Sequence, residues 1–198
     1  NLSLGWYSLG KVRWIVKVLR PLNLIKGMRS VEKAGAVRLP ESYNLDLQFL
    51  QSLSAKYQAT DEIIRPNRRE GFFEWRYLNH PGRYYGMTSI EKGGSSIAGI
   101  FTVNQRQVYR EMFIVDFVGD RKLLPELLKA VIGHCKMLGV SIMAFMDNID
   151  HCYSRLWTSG FVSYRSKNFV VLPLESDIKF LVREFGSWNM NACMHDSI

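Results

Sequence analysis

Residues 120–146, "DRKLLPELLKAVIGHCKMLGVSIMAFM", join the strongest helical pattern of the chain to the strand that follows it. Asp120 is placed to cap the start of the helix, and Gly139 is placed to close its end. The run "VSIMAFM" is continuous in apolar residues, as in strands buried on both faces. Seven apolar side chains form one broad helical face: Leu124, Leu127, Leu128, Val131, Ile132, Cys135 and Leu138.

Strand-like and helical segments surround this stretch on both sides. Before it, the pattern predicts a helix from Leu45 with Asn44 as its N-cap, then three strands, the first two joined by a Gly93-Gly94 turn. After it come a helix over 148–158, the strands "FVSYRS" and "NFVVLPL", and a short helix in "DIKFLVREFG". The order predicts an α/β (α+β) fold with a mixed central sheet and helices on both faces.

Composition narrows the classes of protein to consider. The 198 residues are 47% hydrophobic and 22% charged, as in an ordinary globular protein. No run approaches the roughly 18 apolar residues that a membrane span needs, and the start lacks the cleavage site of a signal peptide. Three cysteines and four histidines lack metal-ligand spacing. We expect a cytoplasmic protein with no membrane span and no metal.

The net charge of +8 is concentrated near the N-terminus. Residues 1–38 hold eight basic side chains and one acidic side chain, and the rest of the chain is nearly balanced. A basic arm suits nucleic acid or anionic lipid, but no recognition-helix or RNA-binding motif accompanies it. The favoured interpretation is a solvated face or a contact with an acidic partner region, and nucleic acid is the weaker alternative.

The element order from Asn44 to Leu174 resembles the GNAT superfamily, the acyl-CoA-dependent N-acyltransferases. The stretch "DNIDHCYSRLWTSGF" at 147–161 is similar to the family's Asn-containing helix that runs into Gly-Phe. The segment "WRYLNHPGRYY" resembles one found in large bacterial proteins with GNAT-like domains. The resemblance implies acetyl-CoA or another acyl-CoA as donor and a small-molecule amine as acceptor.

Two distant stretches share a pattern. In "SLGWYSLGKVRWIVKVL" at 3–19 and "TSGFVSYRSKNFVVLPL" at 158–174, Gly and an aromatic residue lead into a hydrophobic strand. In the resemblance this is the closing hairpin of a GNAT unit. We therefore predict that residues 1–21 end a preceding GNAT-like unit, 22–43 form a linker and 44–198 form a second unit. The alternative is that two hairpins are alike by chance.

The resemblance places the donor site in "FVGDRKLLPEL" at 117–127, where family members carry a glycine-rich loop for the donor's pyrophosphate. Here only Gly119 remains, leucines fill positions that should be small, Pro125 removes an N–H group, and Asp120 puts a carboxylate where phosphate would lie. The cations Arg121 and Lys122 could partly compensate for the charge of this carboxylate. The candidate donor-binding residues are Phe117, Val118, Gly119, Arg121, Lys122 and Asn148.

Candidates for proton transfer are less specific. Many family members place a tyrosine four residues before the glycine of Gly-Phe, where this chain has Leu156, so Tyr153, one helical turn earlier, is the candidate acid. Glu111 and Asp116 lie on or near the central strand and are candidate bases. Each of the three also has a packing or solvated alternative. The aromatic residues of 72–85 could line a pocket or form a core layer with Arg76 at its rim, and Arg68 and Arg69 could hold an anion.

Two functions follow from the resemblance. The first is a GNAT-like acyltransferase domain that transfers an acyl group from coenzyme A to an unknown amine. The alternative is an inactive GNAT-like binding or architectural domain whose N-terminal partner unit holds the donor site. The departures in 117–127 favour the second, and the element order fits both equally.

Overall fold

The computed structural model of the protein describes residues 7–27, 35–57, 68–147 and 153–171. In these residues seven strands form one mixed sheet, with helices on both faces, so the predicted fold class is confirmed. The strands are β1 (Tyr7–Val18), β2 (Gly35–Ala36), β3 (Tyr85–Lys92), β4 (Ser95–Gln105), β5 (Arg110–Gly119), β6 (Val140–Asp147) and β7 (Val162–Val171). The α-helices are α1 (Pro21–Gly27), α2 (Leu47–Tyr57), α3 (Leu124–Met137) and α4 (Tyr153–Thr158).

The sheet has the order β2-β4-β5-β6-β1-β7, and β3 also pairs with β4. β3, β4 and β5 form an antiparallel meander, whose first turn has positive φ at Gly93 and Gly94, as predicted. The next pair, β5 and β6, is parallel and is connected through α3. Since parallel neighbours need a crossover on one face of the sheet, α3 fixes which face carries the larger core.

Two hydrophobic clusters lie on opposite faces of the sheet. On the α3 face, Leu127 and Val131 pack with Phe101 and Phe145. On the α2 face, Leu50 and Leu53 pack with Ile100 and other side chains. The predicted cap of α2 is wrong by two residues, because Phe49 N–H donates to Asp46 Oδ1 at 2.9 Å. Asp46, rather than Asn44, therefore satisfies an orphan donor of this helix.

β1 lies inside the sheet, between β6 and β7, and is antiparallel to both. The two similar stretches of sequence therefore pair with each other over Tyr7–Val16 and Val162–Val171. The predicted strands "FVSYRS" and "NFVVLPL" are one continuous strand up to Val171, because β1 offers a partner along that length. Whether residues 1–21 also end a preceding unit stays a prediction.

Gly119 ends β5, and neither its backbone conformation nor its surroundings would accept a side chain. Its φ is +115°, and an added Cβ would lie 2.3 Å from the Ser96 carbonyl oxygen. Gly133, by contrast, lies on the exposed face of α3 with nothing within 4 Å of an added Cβ. The two glycines form a matched pair for measuring the cost of a side chain at the end of β5.

We expect Gly119→Ala to lower the free energy of unfolding by at least about 2 kcal/mol, because it combines a strained backbone with a steric overlap. Gly133→Ala should raise it by up to about 1 kcal/mol, the helix propensity gain. Urea denaturation followed by circular dichroism measures both. Equal stability of Gly119→Ala and the parent would contradict this close approach.

Candidate functional site

The strands β5 and β6 stop pairing before either of them ends. Their parallel register closes at Ile114 and Phe145, whereas β5 continues to Gly119 and β6 continues to Asp147. We call these two strand ends, residues 115–119 and 146–147, the strand opening, because they do not pair with each other, although each still pairs on its other side with β4 or β1. Such an opening between parallel strands exposes backbone groups that no neighbouring strand satisfies, and ligands of open α/β sheets bind at the carboxyl ends of strands.

An ion pair bridges the strand opening. Arg121 Nη1 lies 2.9 Å from Asp147 Oδ2, and both side chains are largely buried. The Arg121 guanidinium also lies 4.8 Å from the centre of the Phe117 ring, which packs edge-on against Phe145. Two predicted donor-binding residues, Phe117 and Arg121, are thus brought together, and both are engaged with other parts of the chain.

Three backbone N–H groups of the loop between β5 and α3 are bonded within the chain. The N–H of Asp120 donates to Ser96 O at 2.9 Å, and the N–H of Leu123 donates to Asp120 O at 3.1 Å. Lys122 N–H donates to the Asp120 carboxylate at 3.0 Å. This hydrogen bond is the main cause that lowers the pKa of Asp120. A carboxylate charge is therefore fixed just before α3.

A second feature is a cavity of about 440 Å³ on the α2 face of the sheet, which we call the sheet pocket. It lies where α2 does not cover the strands, and it reaches Phe113 and Ala144, one residue before β5 and β6 stop pairing. The pocket therefore lies on the opposite face of the sheet to α3, over the paired part of β5 and β6, and no residue of the strand opening lines it. Its walls are Trp14, Val16, Arg106, Tyr109, Glu111, Met112, Phe113, Ile142, Ala144, Tyr164 and Arg165.

Glu111, a predicted base, lines the sheet pocket and is only 7% exposed. Its Oε1 accepts from Arg106, with Nε at 3.0 Å and Nη2 at 2.9 Å. Burial, followed by the negative charge of Glu111, raises the pKa of neighbouring Tyr109. The pocket thus holds one carboxylate, which Arg106 neutralises from one side, within walls that are mainly aromatic and aliphatic.

No protein-family profile and no curated protein sequence matches this chain. Among solved structures, a GCN5-related N-acetyltransferase from Anabaena variabilis is similar, with a TM-score of 0.54 and 11% sequence identity. The match covers 86% of this chain and 42% of that one. The fold is that of the GCN5-related N-acetyltransferases. At this identity the likeness shows the fold alone, and the chain corresponds to less than half of its neighbour's length.

The start of α3 does not fit the pyrophosphate of an acyl-CoA, which the GNAT resemblance places there. The N–H groups of Asp120, Lys122 and Leu123 are already bonded within the chain, and Pro125 in the first turn has none. Leu123 and Leu124 are core residues whose side chains fill the space that small residues would leave. A phosphate here would also meet the charge of Asp120, so this helix start is closed to anions.

Asp116, the other predicted base, lies in a buried ion pair. Its carboxylate accepts from Arg68 Nη2 at 2.6 Å, from Arg68 Nε at 3.2 Å and from the Tyr77 hydroxyl at 3.1 Å. Asp116 is fully buried and Arg68 is 5% exposed. The aromatic residues predicted in 72–85 have different environments: Phe73 and Tyr77 are stacked core residues, whereas Trp75 is 65% exposed. The contacts of Asp116 are those of a group that joins β5 to residues 68–78.

The remaining predicted site residues are spread out. Val118 belongs to the strand opening, but its side chain is buried in the cluster on the α2 face, and Lys122 is exposed. Tyr153 begins α4, but its side chain lies outside the described residues, as does Asn148 entirely. The roles assigned to these residues stay predictions.

Several residues that line cavities were missed from the sequence. His134 Nδ1 lies 3.1 Å from the Tyr43 hydroxyl, and its Nε2 lies 3.1 Å from Thr88 Oγ1, beside an open cavity of about 640 Å³. Burial lowers the pKa of His134, which favours the neutral imidazole. These partners are 91 and 46 residues from His134, so no spacing could have indicated them. Trp14 and Arg165 in the sheet pocket were missed for the same reason.

Two predicted absences concern metals and membranes. Within the described ranges no three potential metal ligands come together. In the same ranges no helix has the length and hydrophobicity to cross a membrane.

We expect Asp116→Ala to lower the free energy of unfolding by about 3–5 kcal/mol, because it leaves the Arg68 guanidinium buried without this carboxylate. Tyr77→Phe, which removes one hydrogen bond to the same carboxylate, should cost about 1 kcal/mol. Urea denaturation of both variants tests the difference. An Asp116→Ala protein with parental stability would argue for a role in function instead.

Proposed function

We propose that this chain is the acceptor-binding unit of a GNAT-type N-acyltransferase, in which a preceding GNAT-like unit holds the acyl-CoA donor. The observation that carries the proposal is the contrast between the loop after β5, on the α3 face of the sheet, and the sheet pocket on the α2 face. On the α3 face the loop 119–124 and the Arg121–Asp147 ion pair close the strand opening, whereas on the α2 face the sheet pocket is open over the paired part of β5 and β6.

The chemistry of the sheet pocket supports an organic acceptor. Its walls are mainly aromatic and aliphatic, with a few polar groups that would fix orientation, as in small-molecule sites. Glu111 Oε1 is engaged by Arg106, and its other oxygen has no contact among the described residues. That oxygen is the group in the pocket best suited to accept a hydrogen bond from an amine.

The closed donor loop supports assigning the donor to another unit. Opening it would expose the buried Leu123 and Leu124, break the Arg121–Asp147 pair and bring a phosphate beside the Asp120 carboxylate. Each of these changes costs free energy, and no described residue offers a matching gain. The likeness to one part of a longer acetyltransferase chain is consistent with such a division.

The second candidate is acyl transfer by this unit itself. It is favoured by the strand opening, which is present even though the loop beside it is closed. In that case Arg121 would have to exchange Asp147 for the phosphates of the donor. The two candidates therefore differ in which chain binds acyl-CoA.

Calorimetric titration with acetyl-CoA separates them. The 198-residue chain should show no binding, and the same chain extended by its preceding sequence should bind. Asp120→Asn in the short chain is the matched variant, because it removes the charge at the helix start while keeping a side chain that can cap.

Binding by the short chain, tighter still in Asp120→Asn, would replace the proposal with the second candidate. An extended chain that also fails to bind acetyl-CoA would overturn both.

A further inference from the structure

The sheet pocket has a composition that selects its ligand. We infer that it binds an aromatic carboxylic acid that also carries an amino group, with the carboxylate held by Arg165. This names the acceptor class of the function proposed above and rests on that function only for its biological meaning, since binding is measured without any acyl donor.

The aromatic part of the inference comes from the pocket walls. Trp14 packs edge-on against Phe113, with ring centres 5.9 Å apart, and Tyr164 is 65% exposed. Ile142 and Ala144 of β6 complete the apolar lining. Aromatic side chains at an accessible pocket prefer ring contacts with a ligand, edge-on or offset-stacked, over contact with water. A flat ring therefore suits these walls.

A bulge in β7 brings two neighbouring side chains to this pocket. Arg165 pairs with Trp14, but Ser163 pairs with Ile15, so Tyr164 is an extra residue on β7. Consecutive residues of a regular strand point to opposite faces, and a bulge re-aims them. As a result both Tyr164 and Arg165 line the pocket, and the Arg165 guanidinium lies 5.0 Å from the centre of the Tyr164 ring.

The carboxylate part comes from the charges. Glu111 and Arg106 neutralise each other, which leaves Arg165 as the uncompensated charge of the pocket lining. Among the described residues Arg165 contacts the Tyr164 ring and no carboxylate. A planar guanidinium already lying over a ring is well placed to bind a carboxylate in its own plane.

The amino group is assigned to the Glu111 end of the pocket. Glu111 contributes the single carboxylate of the pocket lining, and one of its oxygens is bonded to Arg106. A carboxylate bound at Arg165 adds a negative charge to the pocket. An ammonium group near the other oxygen of Glu111 would offset that charge. The ligand is thus expected to be zwitterionic and to span from β7 to β5.

Matched probes separate the charge from the ring. By calorimetry, phenylacetate should bind the parent protein at least about tenfold more tightly than its neutral isostere phenylacetamide, since a charge-assisted hydrogen bond is worth that much. 4-(Aminomethyl)phenylacetate, whose benzylic amine is protonated at neutral pH, should bind more tightly than phenylacetate. Arg165→Ala should remove the preference for carboxylate over amide, and Glu111→Gln should remove only the gain from the amino group.

Arg38→Ala, which alters an exposed arginine just after β2, at the opposite edge of the sheet from β7, should change nothing. Equal affinity for phenylacetate and phenylacetamide, or a preference that survives Arg165→Ala, would overturn the inference. No binding of any probe would overturn it as well. If the probes bind as expected but the extended chain does not bind acetyl-CoA, the inference stands and the proposed function is overturned.

Discussion

The pairing of β1 with both β6 and β7 is the constraint on which the rest of the sheet depends. Without β1, the strand β6 would become an edge and β7 would have no partner among the described strands. β1 also contributes Trp14 and Val16 to the sheet pocket and Ile15 to the core on the α3 face. One strand from the start of the chain therefore completes the sheet and builds a wall of the candidate site.

The loop after β5 shows how groups that could bind an anion can instead be satisfied by partners within the same chain. A helix start attracts anions through its free N–H groups, and here Asp120 supplies an anion from within the chain. Arg121 likewise has Asp147 as an internal partner. These groups, which could bind a phosphate, are thus satisfied within the chain, and their contacts stabilise the fold.

Local patterns in the sequence were enough to predict the elements but not their partners. The apolar face of α3 and the Gly93-Gly94 turn each depend on residues that are close together in the sequence, and both predictions are confirmed. The cap of α2 was placed on Asn44 instead of Asp46, and β7 was divided in two, because its partner lies at the other end of the chain. The sheet pocket depends on registers among β1, β5, β6 and β7, which periodicity cannot reveal.

The central place of β1 also bears on how the chain folds. Its residues are made before those of its partners, since Arg13 meets Asp147 and Tyr7 meets Val171, more than a hundred residues later in the sequence. Contacts of such sequence separation close large loops and slow the folding reaction. During synthesis the strands of the meander β3–β5 are made close together, whereas β1, which is basic and rich in β-branched residues, stays unpaired until β6 and β7 have been made. Its lysines and arginines would then repel other copies of the same unpaired strand.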